Sequence, residues 1–137
     1  KGEDMEEYEK PSKEGFWDVM KRVGECVTKE AGDTIKVCAH TLPEFGIAVS
    51  DYGLKGVIQS TSEGVMLMRE EEPGMGVITF DSDGMHGVFS GKLNPIPAMT
   101  QKKLTITDLD MMSLNAFAGL LTPLIKCYNK ALKEMRE

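Results

Sequence analysis

Residues 81–106 read DSDGMHGVFSGKLNPIPAMTQKKLTI, and their order of signals decides the fold. Asp81, Ser82 or Asp83 can cap a helix on which Met85, Val88 and Phe89 share one face at i, i+3 and i+4. Gly91 ends that helix in a left-handed conformation. Asn94 then caps a second short helix with Pro95 at its first position, where the missing amide proton costs nothing. Ile96 and Met99 are expected to face inward. The segment closes on KLTIT at 103–107, a strand that points Leu104 and Ile106 to one face. Two short helices therefore cross over a sheet and deliver the chain to another strand.

On the N-terminal side, residues 1–11 are acidic and polar and read as a flexible arm, leaving 12–137 as a single domain. Phe16, Met20, Val23 and Val27 recur at spacings of four, three and four, which predicts an amphipathic helix over 13–31, with Trp17 widening its stripe. Gly32 and Asp33 supply the stop. From 33 to 80, short runs rich in Val, Ile, Thr and Met are separated by PEFG, DYG, TSEG and EEEPG. TIKVCAH, GIAVS, LKGVIQS, VMLMRE and GVITF are read as strands joined by hairpins, the first on the alternation of Ile35, Val37 and Ala39. With KLTIT this predicts a mainly antiparallel sheet of five or six strands covered by helices, an α/β arrangement of the α+β type.

Beyond 107 the pattern is helical. Thr107 and Asp110 form a capping pair, and Leu109, Met111, Met112, Leu114, Phe117, Leu120 and Leu121 are too many for a narrow stripe, so the helix over 108–121 is expected to be buried on more than one side. Thr122 and Pro123 are read as a stop, after which Leu124, Tyr128, Ala131 and Met135 start an extra C-terminal helix. A helix apolar all round also suits a subunit contact, and homodimerisation is one expectation for it.

Composition narrows the function classes. With 137 residues the chain fits one domain able to bury about two thirds of its extended surface. Sixteen basic against 22 acidic residues give a net charge of −6 with no basic stripe, which argues against a nucleic-acid partner. No apolar run reaches the roughly 18–20 residues of a membrane span, and the N-terminus lacks a signal peptide's apolar segment. A cytoplasmic location is the expectation, with transient membrane contact left open. Cys26, Cys38 and Cys127 are widely spaced, fit neither a disulfide framework nor a CxxC motif, and are read as reduced thiols.

Catalytic and metal signatures are missing from the sequence. There is no G-x-S-x-G elbow, no phosphate-binding loop and no H-E-x-x-H helix, and the acids of SEG at 62–64 and EEE at 70–72 sit in turns. Cys38 and His40 would share one face of a strand but have no third ligand nearby. The reading is accordingly non-enzymatic, with no metal and no cofactor.

The stretch from 81 to 106, with GVITF before it, resembles the sterol carrier protein 2 domain family. That family has a strand running into an aspartate-containing segment, a short helix, a Gly-Lys-apolar-Asn/Asp-Pro turn, a second helix and a strand beginning near Lys-Leu. Here these are GVITF, DSDGMHGVF, GKLNP, PIPAMTQ and KLTI. Lys102 stands where members often have Gly, Thr107-Asp108 where they often have a Gly-rich turn, and residues 122–137 extend past many of them.

The resemblance implies a fold that encloses an apolar cavity and binds a lipid or other long apolar ligand such as a fatty acyl chain, acyl thioester, isoprenoid or sterol. Carried over by position, the lining would be Phe80, Met85, Val88, Phe89, Leu93, Ile96, Met99, Leu104, Ile106, Met111, Met112 and Phe117. Ten methionines suit such a lining, because a flexible thioether reshapes around varied ligands. The alternative is an accessory subunit with a filled core, whose C-terminal helices bind a partner protein.

Overall fold

The computed structural model describes residues 8–74 and 76–136, with backbone alone for Ile96 and Arg136. The chain opens with helix α1 (Phe16–Glu30), which buries Phe16, Met20, Val23 and Val27 as their spacing predicts, together with Val19. At Ala31 the backbone leaves the helical region, with φ −138° and ψ 37°, and a second helix, α2 (Gly32–Thr41), starts at once.

TIKVCAH is thus a helix and not the strand that its alternation suggests. Burial follows the helical period: Ile35, Cys38 and Leu42 are inside while Val37 is 70% exposed. Spacings of three and four across Ile35, Cys38 and Leu42 outweigh the local β-branched composition, because burial on the neighbouring elements decides between the two periods. The Cys38–His40 pair also changes meaning. Two residues apart on a helix they do not face each other, and Cys38 is buried while His40 is exposed.

Five strands follow the expected runs: β1 (Glu44–Val49), β2 (Leu54–Ser60), β3 (Met66–Glu70), β4 (Val77–Phe80) and β5 (Leu104–Thr107). Their order in the sheet is β3-β2-β1-β4-β5, so the sheet is open and has two edges. Most pairings are antiparallel, but β4 lies beside β1 and parallel to it, with Gly46 opposite Val77 and Val49 opposite Phe80. The chain between β3 and β4 is therefore a crossover and not the expected hairpin. Gly46 makes room for it, since a Cβ there would collide with Pro73 of the crossing segment.

Alternation places Phe45, Ile47, Val49, Leu54, Ile58, Ile78, Phe80, Leu104 and Ile106 on one face, in register across the strands. The helices pack against this face. Trp17 of α1 lies where a side chain on Gly56 would stand, and Phe45 meets Phe117 edge-on at 5.5 Å.

After β4 comes helix α3 (Ser82–Ser90), capped by Asp81, whose carboxylate accepts the Gly84 N–H at 2.7 Å, and ended by Gly91 at φ 87°. Helix α4 (Pro95–Thr100) begins at Pro95 as expected, but among its described side chains Ala98 is the buried one and Met99 is 40% exposed instead of facing inward. Lys102 and Asp108, on either side of β5, hold φ at 64° and 59°. Both lie in the left-handed region where a residue with a Cβ costs about 1 kcal/mol more than glycine.

The last element, α5 (Met111–Arg136), is one helix with Pro123 inside it, where the sequence suggests a stop and a restart. It also begins later than expected, at Met111, with the Asp110 carboxylate accepting the Ser113 N–H at 2.8 Å. An internal proline removes one helical hydrogen bond, at about 3 kcal/mol. Burial of Phe117, Leu120, Leu124, Cys127, Tyr128, Ala131 and Leu132 on both sides of it keeps the axis continuous. The first turn is not buried on a second side: Met111 and Met112 are 71% and 68% exposed.

Cys26 and Cys127 form a disulfide that staples α1 to α5, with Cα atoms 5.7 Å apart, correcting the reading of all three cysteines as reduced. Cys38 is the remaining thiol.

Candidate apolar binding site

The residues carried over as a lining divide into three groups. Phe80, Met85, Val88, Phe89, Leu104 and Phe117 are all buried in the main core. Phe89 is the hub among them, its ring 5.7 Å from Phe80 and 5.8 Å from Tyr128. Leu93 and Ile106 pack on the margin of that core. Met99, Met111 and Met112 lie at the surface, and the side chain of Ile96 falls outside the described residues.

Met112 has company that sequence reading did not supply. It lines a groove of about 350 Å³ between α2 and α5, with Thr34, Val37, Cys38 and Thr41 from α2 and Asn115, Ala116 and Gly119 from α5. Every α2 member was hidden by the reading of that segment as a strand. The spacing of Ile35, Cys38 and Leu42 is the signal that would have exposed a helix with Val37 on its outer side.

The chemistry of this groove is apolar and unreactive. Val37 and Met112 rim it, and among the described residues no charged side chain lines it. Burial raises the Cys38 pKa, so the group stays a neutral thiol, and its S–H points to the Leu42 carbonyl at 3.6 Å.

A polar cluster sits elsewhere, at the N-terminus of α3. The Asp51 carboxylate accepts the Ser82 N–H at 2.7 Å and the Ser82 hydroxyl at 2.6 Å. Lys10 Nζ donates to Ser82 Oγ at 2.7 Å and to Asp83 at 2.8 Å, while the Tyr52 hydroxyl donates to the Pro11 carbonyl at 2.6 Å. A serine beside a lysine and a carboxylate has the residue types of a nucleophile pair. Ser82 has no exposed surface, however, and its hydroxyl proton is committed to Asp51, so the cluster holds Lys10 onto α3 and Pro11 onto the β1–β2 turn. Next to it, His86 Nδ1 and the Tyr128 hydroxyl share a hydrogen bond of 2.8 Å. Burial lowers the imidazole pKa and raises that of the phenol, so both stay neutral.

The polar cluster around Ser82 has a pH signature. Hydrogen bonds from Ser82 hold the Asp51 carboxyl below its ordinary value of 3.8. A depressed carboxyl stabilises the fold above its unfolded pKa and loses that contribution as pH falls through the folded value. Wild type is therefore expected to exceed Asp51→Asn in stability at about pH 7, with the gap shrinking by about pH 3. Urea midpoints of both proteins at the two pH values check this, and a constant gap would refute it.

No family model and no curated protein matches the chain. Solved structures do. The sterol carrier protein domain 2 of Helicoverpa armigera superposes with a TM-score of 0.62 at 20% identity, covering 88% of this chain and 96% of that one. A Thermus thermophilus protein described as possibly a sterol carrier protein gives 0.57 at 18% identity, over 83% and 86% of the two chains. The crystal structure of sterol carrier protein 2 gives 0.55 at 18%, over 80% and 95%. Among the described residues, no helix is long and apolar enough to cross a membrane. The helix order, the open five-stranded sheet with its parallel β1–β4 pair, and near-complete coverage of these structures show that the chain has the sterol carrier protein 2-like fold.

Proposed function

We propose that the protein binds a lipid or other long apolar molecule reversibly and without chemistry, and that the groove between α2 and α5 is where the ligand's hydrocarbon first meets the protein. The observation that carries this reading is the pair Val37 and Met112. They are 70% and 68% exposed, on facing helices that rim an apolar groove of about 350 Å³. That volume is at the lower end of small-molecule pockets, which run from roughly 300 to 1,000 Å³. The fold shared with sterol carrier protein structures supports the same reading.

Removal of hydrocarbon from water drives binding, at about 0.8 kcal/mol per buried CH₂. A chain of about a dozen carbons thus retains useful affinity after ordering costs. Threonine hydroxyls and the Asn115 amide at the margins can meet a polar head, and the buried thiol of Cys38 adds no reactivity.

The test is a titration of delipidated protein with a fluorescent fatty-acyl probe, followed by displacement with unlabelled fatty acids, acyl thioesters and sterols. Saturable, competable binding is expected, and Met112→Glu, a surface change, is expected to weaken it by about tenfold or more by setting a charge against hydrocarbon. Absence of binding by folded protein would overturn the reading and leave the exposed start of α5 as a protein-contact surface. Met112→Glu with unchanged affinity would move the site away from the groove.

A further inference from the structure

The staple between α1 and α5 carries a third group. Cys26 and Glu30 are four residues apart and share a helix face, and Cys127 approaches them from α5. The two sulfur atoms and one Glu30 carboxylate oxygen all lie within 4.8 Å of one another, with Cys26 Sγ 3.8 Å from Glu30 Oε2. Glu30 is held toward this spot by Lys126 at 2.7 Å and Lys130 at 3.5 Å. Cys127 is fully buried and Cys26 half-buried, and the two lie at the wall of a groove of about 190 Å³ between the two helices.

Once the disulfide is opened, two sulfurs with a carboxylate this close become a donor set for a thiophilic divalent cation. We propose that, when the disulfide is reduced, Cys26, Cys127 and Glu30 bind a zinc ion, with water completing the tetrahedron from the groove. Three protein ligands and one open position match the way proteins hold zinc that keeps a solvent ligand. Two thiolates on one zinc stand about 3.8 Å apart, as Zn–S bonds of about 2.3 Å require. Reaching that separation from the disulfide requires the half-buried Cys26 side chain to swing toward the groove.

Charge balance favours the exchange. Two thiolates and a carboxylate exceed the charge of a divalent cation by one negative charge, which the neighbouring, solvated Lys126 and Lys130 offset. Arg22 and Glu134, paired at 3.5 Å along the same groove, neutralise each other.

The chemistry closes without a hidden reactant when a water-soluble phosphine is the reductant. Phosphorus gives two electrons to the S–S bond and takes an oxygen from water to become phosphine oxide, and water's two protons end on the two sulfurs. Zinc displaces those protons as it bonds the thiolates. The pair is then either a disulfide or a metal site, never both.

Cobalt(II) is the probe, because its thiolate charge-transfer and ligand-field bands report sulfur ligation directly. Protein reduced with phosphine and desalted without oxygen is expected to bind one equivalent of cobalt, which zinc displaces, while the oxidised protein binds none. Cys38→Ser should behave as wild type. Glu30→Gln, which removes the ion pairs to Lys126 and Lys130 but none of the buried apolar residues of α1 and α5, should weaken zinc binding about tenfold or more in competition with a chelating dye. The proposal is overturned by folded, reduced protein that shows no thiolate–cobalt band, by loss of the band in Cys38→Ser, by unchanged affinity in Glu30→Gln, or by reduced protein that loses its helical circular dichroism.

Discussion

Phe89→Ala is expected to lower the free energy of unfolding by about 3–5 kcal/mol, the range for truncating a buried aromatic ring. Phe89 is 2% exposed and stands where α3, β4 and α5 meet, edge-on to Phe80 and tilted against Tyr128. Its removal leaves a void that three separate elements would have to close together. Met99→Ala, on the exposed side of α4, is expected to stay within about 0.5 kcal/mol of wild type. Urea unfolding checks both, with the Phe89→Ala midpoint falling at unchanged slope. A loss below about 1 kcal/mol at Phe89 would mean that the ring borders open space instead of a packed core. In that case Phe89 would return to the ligand lining, and loss of acyl-probe affinity in the folded variant would be the next result to seek.

The second large effect concerns the disulfide. Cys26 and Cys127 are 101 residues apart in a chain of 137, so their link closes most of the chain into a loop. Loop-entropy arguments set its contribution at about 2–5 kcal/mol, near the top of that range for a loop of about 100 residues. The double variant Cys26→Ser, Cys127→Ser is expected to lose that much relative to oxidised wild type in chemical denaturation, and to match wild type once the latter is reduced. Equal stability of the variant and oxidised wild type would show that the α1–α5 contact alone sets the geometry. The free Cys38, in contrast, contributes as a small buried apolar group.

Much of this fold is legible locally. The stripe on α1 needs only the spacing of Phe16, Met20, Val23 and Val27, and all four are buried. Asp81, Gly91 and Pro95 mark the ends of α3 and α4 because caps act through backbone groups a few residues away. The runs that became β1 to β5 were visible as well, since turn residues bound each of them. The candidate site was less accessible. Of the twelve residues assigned to a lining, Met112 alone lines the α2–α5 groove, and six are buried in the core.

What the sequence determined by itself is whatever depends on a few consecutive residues: helical and strand periods, caps, turns and the choice of apolar faces. The tertiary structure decided the parallel pairing of β1 with β4, the helical state of 32–41, the passage of α5 through Pro123, the meeting of Cys26 with Cys127, and the exposure of Met112 beside Val37. Each of these turns on contacts between residues far apart in the chain, where burial against a distant surface outweighs local preferences worth about 1 kcal/mol or less per residue, and about 3 kcal/mol at Pro123.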